Sequence, residues 1–255
     1  MPEELLTILH ASDIHISPKR PEFTENFRAV MRYANRIKPD IFLITGDLIE
    51  NIKEEEFRFY RKETEVIEME TWAVPGNHDL GNKKSVAGWV THDRLSAYRR
   101  TVGEDRWHKV KNGVHFIGYN SVILESGYPE EREQNTWLMH ELDAVPKGAP
   151  LVLCTHYPLF IGDPKEHSPE VKYWTVDSPS REKFLAIIKE RKVLAYLCGH
   201  RHIPRKNRYA DTDCIIAPST AFSLGDVRES TAFNMVKIYA DRIAVEEISI
   251  ASILH

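Results

Sequence analysis

Five apolar runs along this chain each end in a short polar motif. Residues 5–9 lead to Asp13 and His15, residues 41–45 to Gly46 and Asp47, and residues 72–74 to Gly76, Asn77, His78 and Asp79. Residues 151–155 lead to His156, and residues 193–198 to Gly199, His200 and His202. Short continuous apolar runs predict buried strands, here over 5–12, 41–45, 72–75, 151–155 and 193–198. Between them the spacing changes. Phe23, Phe27, Val30, Met31, Ala34 and Ile37 recur at helical intervals, so 23–37 is predicted as a helix that Pro39 stops. A charged helix is expected over 53–68, with Phe57, Tyr60, Thr64 and Ile67 on one face. The steps from Asp13 to Asp47 and from Asp47 to Asn77 each match a βαβ unit, which predicts a parallel sheet.

The second half is more varied. Residues 107–111 and 114–119 flank Asn112-Gly113 and read as a hairpin. Helices are expected over 133–142 and 180–189, the latter with Ser178 or Ser180 as its cap. Residues 205–209, 212–217, 232–239 and 242–250 read as strands, expected to be antiparallel, with Ala240 and Asp241 in the last turn. Residues 81–103 lack a clear period and are expected to form a lid or a helical excursion. Residues 157–179 hold four prolines and several aromatics, and they read as a long loop of the kind that often carries function. No repeat or linker divides the chain. One α/β domain over 1–255 is expected.

Composition narrows the function. An apolar fraction of 42% and a charged fraction of 28% are those of a soluble globular chain. A net charge of −4 argues against a long nucleic acid as partner, because phosphate backbones are bound by basic surfaces. No apolar run reaches the roughly 20 residues that span a bilayer. The first nine residues are acidic and too short in apolar length for a signal peptide. Cys154, Cys198 and Cys214 are too few and too odd for a disulfide framework, and they are expected as small buried apolar residues. Together these point to the cytoplasm. The oligomeric state has no signature in the sequence.

The five motifs share one chemistry. Carboxylate, imidazole and amide oxygen are the groups that hold divalent metal ions. Asp13 and His15 are two residues apart, and in extended backbone such residues point the same way. His200 and His202 repeat that spacing. The two oxygens of Asp47 can bridge two ions, Asn77 adds an amide oxygen, and His156 approaches from another strand end. Taken singly, each motif is also compatible with an ordinary turn. In an open α/β sheet, however, the carboxyl ends of strands are where sites collect.

The ordered series Asp13-x-His15, Gly46-Asp47, Gly76-Asn77-His78-Asp79, His156 and Gly199-His200-x-His202 resembles the calcineurin-like metallophosphoesterase superfamily. The resemblance implies a two-sheet β-sandwich flanked by helices, with a dinuclear metal site at the strand ends. It implies one ion on Asp13, His15, Asp47 and His202, and a second on Asp47, Asn77, His156 and His200. A water held between the ions would be the nucleophile. By the same resemblance, His78 would contact the phosphate or protonate the leaving oxygen, and Asp79 would orient it. In purple acid phosphatases of this superfamily a tyrosine occupies the position held here by Glu50, so a tyrosinate–iron site is not expected. A ligand set without thiolate suits Mn, Fe, Zn, Co or Ni, and four imidazoles argue against Mg alone.

The expected substrate is a small phosphoester. By the same resemblance, the presence of His15 implies a phosphodiester such as a nucleotide, and Tyr173-Trp174 with Asp177-Ser178-Pro179-Ser180 gives a looser resemblance to the cyclic-nucleotide phosphodiesterase-like branch. Phosphomonoester hydrolysis, protein phosphatase activity included, is the alternative. A non-catalytic scaffold on the same fold is disfavoured because every ligand motif and His78 are in place. A DNA nuclease would need a basic channel. Arg201, Tyr157, Phe160, Tyr173 and Trp174 are candidate substrate contacts, with Arg20, His92 and Arg94 behind them.

Overall fold

The computed structural model describes residues 3–167, 169–225 and 231–254. Ser168, inside the long loop, lies outside them. Two mixed sheets stack face to face. The first runs β11-β10-β1-β2-β3, built from β1 (Glu4–Ala11), β2 (Ile41–Thr45), β3 (Glu70–Val74), β10 (Ala232–Tyr239) and β11 (Ile243–Ser249). The second runs β4-β5-β6-β7-β9-β8, from β4 (Trp107–Lys111), β5 (Val114–Gly118), β6 (Leu151–Cys154), β7 (Ala195–Cys198), β8 (Arg205–Tyr209) and β9 (Thr212–Ile216). β1, β2 and β3 are parallel, as the βαβ spacing predicts, and so are β5, β6, β7 and β9. The parallel strands of each sheet therefore send their carboxyl ends to one side.

Strand alternation explains the layers. In β1, Leu6 and Ile8 face the second sheet, where Phe116, Val152, Cys154 and Leu197 meet them. Leu9 and Ala11 face outward, against α1 (Pro21–Ile37). There Phe27 crosses Phe42 edge to face at 5.9 Å. On the far side α5 (Pro129–Ala144) and α7 (Ser180–Arg191) cover the second sheet, with Phe184 stacked on Tyr119 at 4.5 Å. Burying each such side chain contributes about 1.5–3 kcal/mol. Both faces of the central strands are thus covered, which is why they read as unbroken apolar runs.

Several boundaries differ from the sequence expectation. The second helix, α2, spans Glu54–Thr64 and ends early, where the Thr64 hydroxyl bonds back to Tyr60 and Arg61 carbonyls. α5 starts at Pro129, whose missing N–H costs nothing at a helix start. The Asn77–Leu80 turn is α3, and the irregular stretch contains α4 (His92–Thr101), capped by Thr91. The long loop holds one helical turn, α6 (Pro169–Lys172). Neither Ser178 nor Ser180 caps α7: Pro179 takes that place, and the serine hydroxyls bond Glu182 and Glu125 instead. The last four strands are not one antiparallel group. β8–β9 and β10–β11 are antiparallel hairpins, but β9 joins β7 in parallel and β10 joins β1.

Candidate active site

The ends of both sheets meet at a buried cluster. Asp13 follows β1, Asp47 follows β2, and Asn77 opens α3 after β3. His156 follows β6, and His200 and His202 follow β7. His202 Nε2 lies 3.2 Å from Asp13 Oδ1 and 3.2 Å from His15 Nε2. His156 Nε2 lies 3.3 Å from Asp47 Oδ1 and 3.1 Å from Asn77 Oδ1. Asp47 Oδ2 reaches to 3.6 Å from His15 Nε2. Donor atoms of Asp13, His15, Asp47 and His202 converge closely enough to hold one ion, and those of Asp47, His156 and His200 to hold another. Asp47 belongs to both groups.

The backbone that does this is not extended. Asp13, His15, Asp47, His200 and His202 have φ of 50°, 44°, 52°, 69° and 58°. Left-handed backbone costs a non-glycine residue of order 1–3 kcal/mol and collects at functional sites. The two-residue spacing of Asp13 and His15 therefore works for a different reason from the strand-like alternation expected. Two left-handed residues flank Ile14, and their N–H groups bond Gly46 and Asp47 carbonyls at 3.0 Å each. At Gly199 space is the constraint: a Cβ there would lie 1.8 Å from Ser12 Oγ and 2.5 Å from Asp13 Oδ2.

Each histidine of the cluster has one ring nitrogen committed elsewhere. His156 Nδ1 is 2.8 Å from Thr45 O, His202 Nδ1 is 3.0 Å from Phe222 O, and His200 Nε2 is 3.2 Å from Tyr173 O. His15 Nδ1 is 3.0 Å from Glu50 Oε2. An oxygen acceptor on one nitrogen holds the proton there and turns the other lone pair inward. Four inward lone pairs and two buried carboxylates are a donor set that fits divalent cations.

The electrostatics are consistent with shared charge. Burial would raise Asp47, but His156, His78 and His15 hold its carboxyl well below the usual range. Burial would lower His156, yet Asp47 and Asp13 lift it to about 9. Burial drives His15 and His200 down, toward the neutral form that ligates. His78 sits at the edge of the cluster, with its ring 4.5 Å from that of His15. Its Nδ1 is 2.8 Å from Glu50 O, its backbone N–H donates to Asp47 Oδ1 at 2.8 Å, and Asp47 outweighs burial to raise its pKa.

Asp79 does not take the place expected for it. Its carboxylate accepts from Leu48 N (2.9 Å), Ile49 N (3.2 Å) and Gly76 N (2.7 Å), tying the second and third motifs together. The residue that fixes the His78 ring is Glu50, through its carbonyl. Tyr157 and Phe160 expose almost none of their surface. Both are buried, Tyr157 against His200 at 4.3 Å and Phe160 against Tyr209 at 6.4 Å. Tyr173 and Trp174 remain half-buried beside His200, at 5.1 and 5.3 Å, and Arg201 lies 5.2 Å from the Trp174 ring. Arg20 pairs with Glu22 and His92 with Glu130 at the surface. Phe222, which packs on His15 and His202 at 5.3 and 4.4 Å, had no signal in the sequence, since it follows β9 without a motif.

The loop is held from below by Lys83. This buried ammonium reaches Lys172 O, Thr175 O (2.5 Å) and Asp177 Oδ1 (2.9 Å). Arg181 adds bonds to Val176 O and Thr175 Oγ1. The three cysteines are free and buried, as expected of apolar fillers. Among the described residues, no helix is long and apolar enough to cross a membrane. A cleft of about 1040 Å³ beside Trp72, Trp107 and Trp137 contains none of the cluster residues.

Comparison with known proteins accounts for this arrangement. The family model for calcineurin-like phosphoesterases matches residues 6–204. A 3′,5′-cyclic-nucleotide phosphodiesterase of Nostoc sp. is 25% identical over 92% of this chain and 89% of its own length. A protein of Arcobacter nitrofigilis named "Probable glycerophosphodiester phosphodiesterase" is 24% identical over 77% of this chain and 72% of its own. Among solved structures, a dimetal phosphatase from Danio rerio superposes with a TM-score of 0.69 at 12% identity, covering 97% of each chain, a likeness of fold. The chain belongs to the calcineurin-like phosphoesterase family and is a metal-dependent hydrolase of phosphoric esters.

Proposed function

We propose that this protein is a dinuclear phosphodiesterase acting on a small phosphodiester such as a nucleotide. In this reading Asp13, His15, Asp47 and His202 hold one divalent ion, and Asp47, Asn77, His156 and His200 hold the other. The observation that carries it is the set of four histidines, each tied outward through one nitrogen and facing the cluster with the other. Bound there, two divalent ions (Mn, Fe, Zn, Co or Ni) would supply Lewis acidity and an activated water. The chain itself supplies the rest. Glu50 O holds a proton on His78 Nδ1, which leaves Nε2 to serve the leaving oxygen. The His78 backbone N–H, bonded to Asp47, keeps the ring at the edge of the cluster. Three buried free thiols agree with a cytoplasmic setting.

The diester preference rests on relatives named as phosphodiesterases over more than two thirds of this chain. The test is a panel of cyclic and linear nucleotides, glycerophosphodiesters, phosphoproteins and p-nitrophenyl esters. Protein stripped with EDTA and reloaded with Mn should hydrolyse diesters with the higher kcat/KM. Higher kcat/KM on monoesters would replace this reading with a phosphatase. Hydrolysis untouched by EDTA would end the dinuclear reading.

A further inference from the structure

A polar groove of about 420 Å³ opens beside the cluster, lined by Glu50, Asn51, Asn77, His78, Asn82 and Arg94, among others. Pockets of this size accept a small organic group of roughly nucleoside scale. Arg94 lies in the first turn of α4. Its Nη1 donates to Gly88 O at 3.4 Å and Trp89 O at 3.2 Å, both long contacts. It forms no ion pair among the described residues. On the same helix Arg99 instead pairs with Asp105 at 2.7 Å.

The backbone beside this guanidinium turns tightly. Gly81 has φ of 101°, and a Cβ there would lie 2.5 Å from Arg94 Nη1 and 2.8 Å from Gly88 O. This φ and the nearby Gly88 carbonyl call for glycine, and the turn so formed carries the carbonyls to which Arg94 donates. The acid in the same groove is already engaged, because Glu50 Oε2 faces His15 Nδ1 at 3.0 Å. Asn82 Nδ2 donates to Ala87 O at 2.6 Å and Asn51 Nδ2 to Glu56 Oε1 at 3.1 Å, which leaves both amide oxygens as acceptors. A planar guanidinium without a carboxylate partner is built to take phosphate or carboxylate through paired N–H bonds.

We propose that this groove is the leaving-group subsite and that Arg94 binds a second oxyanion, a phosphate or carboxylate, on the departing alcohol. The inference rests on the hydrolase reading above, since His78 marks the side from which the leaving oxygen departs. Whatever follows that oxygen enters the groove that holds His78 and meets Arg94. The substrate class is thus a phosphodiester whose leaving alcohol carries its own acid group, with Asn51 and Asn82 accepting from its hydroxyls.

The test uses methyl phosphodiesters with phenyl, 4-carboxyphenyl and 4-phosphonophenyl leaving groups, each rate normalised to the ester's alkaline hydrolysis. Mn-loaded enzyme should favour the acid-bearing esters in kcat/KM by roughly tenfold, the scale of a hydrogen bond between charged groups. In Arg94→Gln the ratio should fall toward one, and Arg94→Lys should keep part of it. The 4-carboxyphenyl and 4-phosphonophenyl arms tell carboxylate from phosphate. Calorimetry with the free 4-carboxy- and 4-phosphonophenols reads the same preference without turnover. Equal kcat/KM for all three esters, or a preference that survives Arg94→Gln, overturns the subsite and leaves the hydrolase reading intact. No turnover of any ester after Mn loading overturns the hydrolase reading, and the subsite with it.

Discussion

Glu50 Oε2 and His15 Nδ1 approach to 3.0 Å, both atoms are buried, and neither meets hydrogen-bond geometry with any partner among the described residues. Burial drives His15 toward its neutral form, so the proton on Nδ1 belongs in this contact and Nε2 faces the cluster. The same residue holds the His78 ring through its carbonyl. Glu50→Ala keeps that carbonyl and removes only the carboxylate. It should lower affinity for one of the two ions by roughly 10–100-fold. Metal titration by calorimetry measures this, and an unchanged affinity would show that the carboxylate does not orient His15.

Asp47 and His78 should separate by phenotype. Asp47 stands in both donor groups, so Asp47→Ala should leave the protein near zero bound ions by elemental analysis. His78→Ala should retain both ions and lose roughly 10²–10⁴ in kcat, the range of general acid–base catalysis. Loss of metal from the His78 variant would sink the acid assignment and make the imidazole a ligand.

Lys83 gives a prediction about stability and substrate together. Replacing the buried ammonium by Met leaves Thr175 O, Lys172 O and Asp177 without their donor. Removing one partner of such a buried charged network costs about 3–5 kcal/mol. Lys83→Met should lower the free energy of unfolding by that amount, read from the shift in the denaturation midpoint, and open residues 169–177 to protease. It should also raise KM, because Tyr173 and Trp174 ride on this segment. A variant that unfolds at the wild-type midpoint would show that the staple contributes nothing.

Removing metal should destabilise the fold. The donors come from both sheets, with Asp13, Asp47 and Asn77 from one and His156, His200 and His202 from the other. At free ion 1,000-fold above Kd, each ion adds about 4 kcal/mol to the folded state. EDTA should therefore lower Tm by several degrees, and Mn should restore it, as read by calorimetry. A Tm indifferent to both would contradict a cross-sheet metal site.

How far the sequence carried depended on the kind of constraint. The strands and first helix were legible because burial on two faces leaves unbroken apolar runs, as in Ile41–Thr45, and burial on one face leaves a helical period, as in Phe27 and Met31. The cluster residues were legible because their types are those of metal donors. Their geometry was not. Left-handed backbone at Asp13 and His15 depends on contacts to Gly46 and Asp47 more than 30 residues away, which no local pattern encodes. The hydrogen bonds of Asp79 were hidden for the same reason: its partners Leu48 and Ile49 come from another loop. Glu50 stood out only as a departure from a family pattern, and its contact with His15 needed coordinates. The long loop concealed which aromatics face inward, because Tyr157 and Tyr173 differ in burial and not in type.

The five left-handed residues also set stability and activity against each other. Glycine or asparagine at Asp13, His15, Asp47, His200 or His202 would relax the backbone. A screen for thermal resistance carried out in EDTA should therefore admit changes that disarm the enzyme. The same screen in excess Mn should reject them. Which sequences count as improved would depend on the ion in the buffer.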